Sequence, residues 1–216
     1  MTHQIIGYGE DALTYWALTT KLQYILDKLD KTKADDCLVF YRPSFGRGVN
    51  IGEFDAILAT AKTVYLVESK WDESKEYKES RHEIVFAESQ LRRHRLFTAY
   101  RNHWRVGDFP DWKDFADRFA EVARKNLEGH VVPKASNTLA KNLAYTLNRV
   151  WQAQREQVTK NVSLFITCNK HEHDPAPTIV ANDLQFDSVQ VVYQSNYGVR
   201  GFIRLDSVKS GIVDET

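Results

Sequence analysis

Apolar residues recur at helical spacing between Gly9 and Leu29. Leu13, Trp16, Ala17, Thr20 and Tyr24 follow one stripe, and Leu18, Leu22, Ile25 and Leu29 follow another. An apolar surface this wide predicts a largely buried helix. Glu10 precedes Leu13 by three residues and Ala17 by seven, so it faces inward at the first turn. Its plainer role there is to offset the positive helix end, which Asp11 could also do. "CLVFYR" (Cys37 to Arg42) reads as a strand, and "PSFGRGVN" as a Gly- and Pro-marked loop with Arg47 near its tip. Ile51–Leu58 and Thr63–Lys70 read as two further strands, joined by a linker short enough for an antiparallel hairpin. After a polar loop, Arg81–Tyr100 carries Ile84, Ala87, Leu91, His94 and Thr98 on one helical face.

Helices are predicted over Asp111–Asn126 and Asn137–Gln154, the latter with Leu139, Leu143, Leu147, Val150 and Trp151 in register. Strands return at Val162–Cys168, Val189–Gln194 and Gly201–Leu205. The order is helix, three strands, helix, two inserted helices, strand and a β-rich tail. That is an α/β sheet with helices packed on it, in one domain spanning 1–216. No internal repeat or low-complexity tract interrupts it.

Composition narrows the class. Of 216 residues, 43% are hydrophobic and 27% charged, which suits a globular domain with a sizeable core. No apolar run has membrane-spanning length and the N-terminus lacks a signal peptide's apolar core, so a cytoplasmic protein without membrane association is expected. Cys37 and Cys168 sit in apolar strands without metal-binding spacing and read as reduced thiols. Net charge is zero, but its distribution is uneven. Residues 81–105 hold six Arg against Glu83 and Glu88, and residues 134–160 hold five basic side chains against Glu156. Either these form a basic stripe, or they are two solvated helix faces.

The hairpin "NIGEFDAILATAKTVYLVESK" places Asp55, Glu68 and Lys70 among apolar residues. Alternation along a strand sets Asp55 on the face of Ile51, Glu53 and Ile57. It sets Glu68 and Lys70 side by side with Val64 and Leu66. If register brings Asp55 opposite Glu68, two carboxylates meet beside an ammonium. Close like charges repel, and burial adds to the cost. A divalent cation resolves the conflict. Mg²⁺ takes one or two carboxylates, keeps several waters and binds phosphate, and Mn²⁺ should substitute. Lys70 beside it would hold the attacking water and stabilise charge on phosphate, with Glu10 as a further ligand or a water-orienting group. Acid–any–Lys occurs four times, starting at Glu68, Glu73, Glu76 and Asp111, and only the first ends an apolar strand.

At these residues the chain resembles the PD-(D/E)xK, or restriction-endonuclease-like, nuclease superfamily. "GEFDAIL", then "VYLVESK", with "GYGEDALTYWAL" upstream, carry the resemblance. It implies a core of helix, three strands, helix and strand over about 7–100 and 162–205, with a helical insertion over about 101–161. It further implies Asp55 and Glu68 as metal ligands, Lys70 as the motif lysine and Glu10 as the acid on the first helix. The Pro before the first acid is replaced by Phe54. The implied activity is Mg²⁺-dependent DNA endonuclease action in restriction, phage defence or repair. An exonuclease, a structure-selective nuclease and a catalytically inert nucleic-acid-binding subunit remain as alternatives. Homodimerisation and membership of a larger nuclease system are both left open.

Other residues are weighed against plainer roles. Arg92 and Arg93 are read as phosphate contacts rather than a solvated face. Gln90 and His94, one turn apart, would bracket the scissile phosphate or pair on the helix surface. Arg47, with Arg42, would reach a groove or serve loop solubility. Trp104, Trp112 and Trp151 suit a core better than base stacking. His171 to Asp174 lacks the spacing of a helical zinc pair and reads as a solvated loop.

Overall fold

The two apolar stripes of residues 9–29 are resolved by a break rather than by one wide helix. In the computed structural model, which describes residues 4–46, 51–105, 107–153, 158–168, 175–195 and 199–205, β1 (Ile6–Tyr8) leads into α1 (Gly9–Thr20) and then α2 (Leu22–Leu29). Lys21 leaves helical geometry between them (φ −123°, ψ 11°). Leu13, Thr14, Ala17 and Leu18 are then buried from α1, and Ile25 and Leu26 from α2. Tyr24, assigned to the first stripe, is exposed instead.

The chain continues through β2 (Leu38–Tyr41), β3 (Ser44–Phe45), β4 (Gly52–Glu53), β5 (Ala56–Ala59) and β6 (Val64–Trp71). Next come β7 (Tyr77–Lys78), β8 (Glu83–Val85), α3 (Glu88–His103), α4 (Trp112–Asn126) and α5 (Thr138–Ala153). It closes with β9 (Thr159–Cys168), β10 (Thr178–Val180), β11 (Phe186–Tyr193) and β12 (Phe202–Arg204). The helix expected from Arg81 begins at Glu88. The preceding "EIV" instead forms β8, antiparallel to β7 and parallel to β10. Ile84 fits both a helical stripe and a β-branched strand, and the partner strands decide. The Gln90 side chain then caps α3, its Oε1 accepting from the Ala87 backbone N–H at 2.9 Å.

The architecture is mixed α/β. The main sheet has the order β11-β9-β6-β5-β2. β6, β9 and β11 run parallel, while β5 is antiparallel to both β6 and β2. β6 is buried along its whole length, as the central strand of a sheet covered on both faces. On one face Ile57, Ala59, Val64 and Leu66 pack with α3, α4 and α5 in a single core. Trp104 and Trp112 belong to that core. On the other, Ala56, Leu58, Tyr65 and Val67 pack with α1 and α2. No helix among the described residues is long and apolar enough to cross a membrane. Cys37 and Cys168 are half-buried thiols outside any disulfide.

Candidate active site

The expected strand over Ile51–Leu58 is interrupted where the chemistry lies. Phe54 and Asp55 fall outside regular pairing, between β4 and β5. Phe54 joins Ile57 in the core beneath α3. A period of two would have put them on opposite faces, so the chain changes course at this point. The ladder pairs Ala56 with Val67 and Ile57 with Leu66. The ladder ends there, so the expected Asp55–Glu68 pairing is not part of it, and Asp55 meets β6 through its side chain instead. Freed from the regular ladder, Asp55 Oδ2 accepts the Ser69 backbone N–H at 2.7 Å. Its second oxygen accepts no hydrogen bond among the described residues. Burial first, and the Glu68 charge second, push its carboxyl up to about 7, against the pull of Lys70 and the Ser69 N–H.

Glu68 is held from the α3 side. It is 2% exposed. Arg93 Nε lies 2.9 Å from Oε1 and Arg93 Nη2 donates to Oε2 at 3.1 Å. Gln90 Nε2 donates to Oε2 at 3.3 Å, and His94 Nε2 lies 3.2 Å from Oε1. Charge-assisted bonds of this kind offset the desolvation of a buried carboxylate. Arg93 also reaches the Glu53 carbonyl. The chain of contacts runs on. Asn161 Nδ2 donates to the Gln185 carbonyl at 3.0 Å, which turns its Oδ1 toward His94 Nδ1 at 2.8 Å. Asn161 opens the buried part of β9 and had no motif to mark it. A polar residue at the start of an apolar strand was its sole signal.

Lys70 is held from the α1 side. Its Nζ donates to Glu10 Oε1 at 3.0 Å and to the Ser69 carbonyl at 2.6 Å. Burial works to lower its pKa, but Glu10, Asp55 and Glu68 together outweigh burial, and the net shift is upward. Ser74 Oγ donates to Glu10 Oε2 at 2.6 Å and accepts the Trp71 N–H at 2.8 Å. Ser74 lies in a polar loop and carried no sequence signal.

The structure thus brings together Glu10, Asp55, Glu68 and Lys70, and adds Gln90, Arg93 and His94 as partners of Glu68. The sequence reads Arg93 as a phosphate contact and Gln90 and His94 as bracketing that phosphate or pairing on the helix surface; in the structure the polar ends of all three meet Glu68. Arg92 pairs with Glu128 at 3.4 Å, outside this cluster. Arg42 bridges Asp11 and Glu53. Arg47 and the segment His171 to Asp174 lie outside the described residues.

The donor set suits a hard divalent ion. It offers Asp55, with one oxygen that accepts no hydrogen bond among the described residues and a negative charge disfavoured by burial, and Glu68, whose oxygens a cation would share with Arg93, Gln90 and His94. No cluster of three His, Cys, Asp or Glu side chains forms a full cage among the described residues. Two protein carboxylates are what Mg²⁺ commonly takes, the rest of its shell being water and phosphate. Glu10 is engaged by Lys70 and Ser74, which makes it a partner of the lysine in this arrangement. Comparison with protein-family models, with curated proteins and with solved structures returns no match to this chain.

Proposed function

We propose that the chain is a divalent-cation-dependent phosphodiester hydrolase acting on DNA, of the PD-(D/E)xK type that its hairpin resembles. One observation carries the reading. Just past the end of the β5–β6 ladder, Asp55 accepts the Ser69 N–H between Glu68 and Lys70, and burial and the Glu68 charge push it up to about 7. The element order supports it as well. A helix (α1), three antiparallel strands (β2, β5, β6), a helix (α3) and a parallel strand (β9) follow in the sequence expected of that core.

Asp55 and Glu68 would hold Mg²⁺, which when bound neutralises charge on the scissile phosphate and makes its water a better nucleophile. The other steps belong to the protein. Lys70 stays protonated, so its ammonium donates hydrogen bonds to the attacking water and to the phosphate oxygen that gains charge. Glu10 and the Ser69 carbonyl fix where Nζ points, and Ser74 fixes Glu10. Arg93, Gln90 and His94 hold the Glu68 carboxylate rigid, which limits the reorganisation needed on reaction.

A second reading, a nucleic-acid-binding module without hydrolytic activity, is favoured by one fact. Both Glu68 oxygens and the Lys70 ammonium are already satisfied within the protein. Incubation with closed circular and linear DNA, each single- and double-stranded, with Mg²⁺ or EDTA, separates the two. Mg²⁺-dependent cutting of the circle is expected and identifies an endonuclease. Cutting of linear DNA alone identifies an exonuclease. Binding without cutting of any DNA or RNA would overturn the hydrolase and leave the binding module.

A further inference from the structure

Tyr8 lies two residues before Glu10 and is 59% exposed. Its ring is nonetheless held in place. It meets Trp71, the residue after Lys70, edge-on with centroids 6.0 Å apart, and Phe202 at 4.7 Å. The β1–β12 pair sets Tyr8 directly beside Phe202. Gly201 makes the room: at φ +79°, a Cβ there would fall 2.6 Å from the Trp71 ring and 2.9 Å from that of Tyr8. The Gly201 carbonyl accepts the Gly9 N–H at 3.0 Å, and its own N–H donates to Tyr193 Oη at 2.9 Å. A buried neighbourhood thus braces a ring that remains largely open to solvent.

A second aromatic pair flanks the same turn of α1. Tyr41 Oη donates to the Asp11 carbonyl at 2.9 Å, and its ring packs on Tyr15 with centroids 5.4 Å apart. Both tyrosines are 39% exposed. Arg42 is paired with Asp11 and Glu53 and Arg93 with Glu68, while Lys75, next to Ser74, is 91% exposed. Formal net charge is zero. Beside these charges, the exposed rings of Tyr8 and Tyr41 are what this surface offers a nucleic acid.

Every nucleobase has a flat π-face that stacks on an aromatic side chain with little regard to sequence. In a duplex those faces are already stacked on neighbouring bases. We propose that this site takes single-stranded nucleic acid, with unpaired bases stacking on Tyr8 and Tyr41 to either side of the phosphodiester presented to Lys70. The proposal rests on the hydrolase reading above and names its substrate class.

The test measures anisotropy of a labelled oligothymidylate and of a blunt duplex of equal length, in EDTA. The wild type should bind the single strand more tightly. Tyr8→Ala should weaken strand binding about ten-fold, and Tyr8→Phe, which keeps the π-face, by no more than about two-fold. Tyr8→Leu keeps apolar packing on Trp71 and Phe202 and should behave like Tyr8→Ala. That would show the loss to be of stacking and not of folding. Tyr24→Ala removes another exposed ring, on α2, and should change nothing. Tighter binding to duplex, or Tyr8→Leu binding like wild type, would overturn the proposal. A parallel incubation in Mg²⁺ keeps the two ideas apart. A wild type that cleaves no nucleic acid defeats the hydrolase reading. Cleavage of oligothymidylate at equal rates by wild type and Tyr8→Leu defeats the stacking platform alone.

Discussion

Helices α3 and α5 join the same core on the same face of the sheet, yet they meet it with different chemistry. α5 buries Leu139, Ala140, Leu143, Leu147 and Val150, an apolar stripe with Thr146 as its one buried polar residue. α3 buries Gln90, His94 and Arg101 together with Leu91, Leu96, Phe97 and Tyr100. Polar groups inside a core cost free energy unless each is hydrogen-bonded. Those at the start of α3 are bonded, and to one target, Glu68. The difference shows where a local rule is broken for a purpose. α5 is built for stability, and α3 also holds a carboxylate in place.

The sharpest separation of the two regions is expected in catalysis. Asp55→Ala, Glu68→Ala or Lys70→Ala should lower the Mg²⁺-dependent cleavage rate by roughly two to four orders of magnitude, about 3–5 kcal/mol of transition-state stabilisation. Glu10→Ala should cost less, because it acts through Lys70. Single-turnover cleavage checks this, and a Lys70→Ala enzyme at wild-type rate would remove the site. The α5 counterpart is Leu143→Ala. It should lose about 2–5 kcal/mol of stability in urea unfolding while keeping its activity per folded molecule. A catalytic defect in Leu143→Ala would erase the contrast.

A smaller effect is expected in the pH dependence of stability without metal. The folded Asp55 carboxyl keeps its proton up to about 7, while the unfolded one releases it near 3.8. Between those values the folded state binds the extra proton. Stability therefore falls as pH rises through this window, and the cost is complete above it. Asp55→Asn removes the titration and should melt higher than wild type in EDTA near neutral pH, by on the order of 1 kcal/mol. Added Mg²⁺ should narrow or reverse that gap, because an ion bound to the native state alone stabilises only the protein that binds it. Melts of both proteins across pH, with EDTA and with Mg²⁺, give the answer. A mutant less stable than wild type at neutral pH in EDTA would mean that Asp55 is a satisfied ion-pair member.

The smallest effect belongs to the outer face of α3. Arg92 pairs with Glu128, and Arg95 with Glu88 and Asp183, in contacts that reach solvent. Arg92→Ala with Arg95→Ala should change stability by about 1 kcal/mol or less. Arg93→Ala, one residue away, should cost more, since it removes the cation nearest to a buried Glu68. Equal costs by thermal melt would mean that the inner and outer faces of α3 do the same work.

Much was legible without coordinates, because it is written in local periodicity. The apolar run ending in Glu68 and Lys70, the inward setting of Glu10 and the stripe of α5 all follow from side-chain spacing alone. So does the alternation of helices and strands that makes the protein mixed α/β. What spacing cannot carry was left to tertiary contacts. Ile84 suits a helix or a strand equally, and only β7 and β10 make it a strand. The stripes of residues 9–29 belong to two helices because each half meets the sheet on its own terms. The meeting of Asp55 with the Glu68–Lys70 stretch depends on how β5 is set against β6, a relation between strands and not a property of either. The inward turn of Gln90, Arg93 and His94 depends on a buried carboxylate at the centre of the sheet. A helix sequence lists its charges but cannot say which of them has a partner waiting across the core.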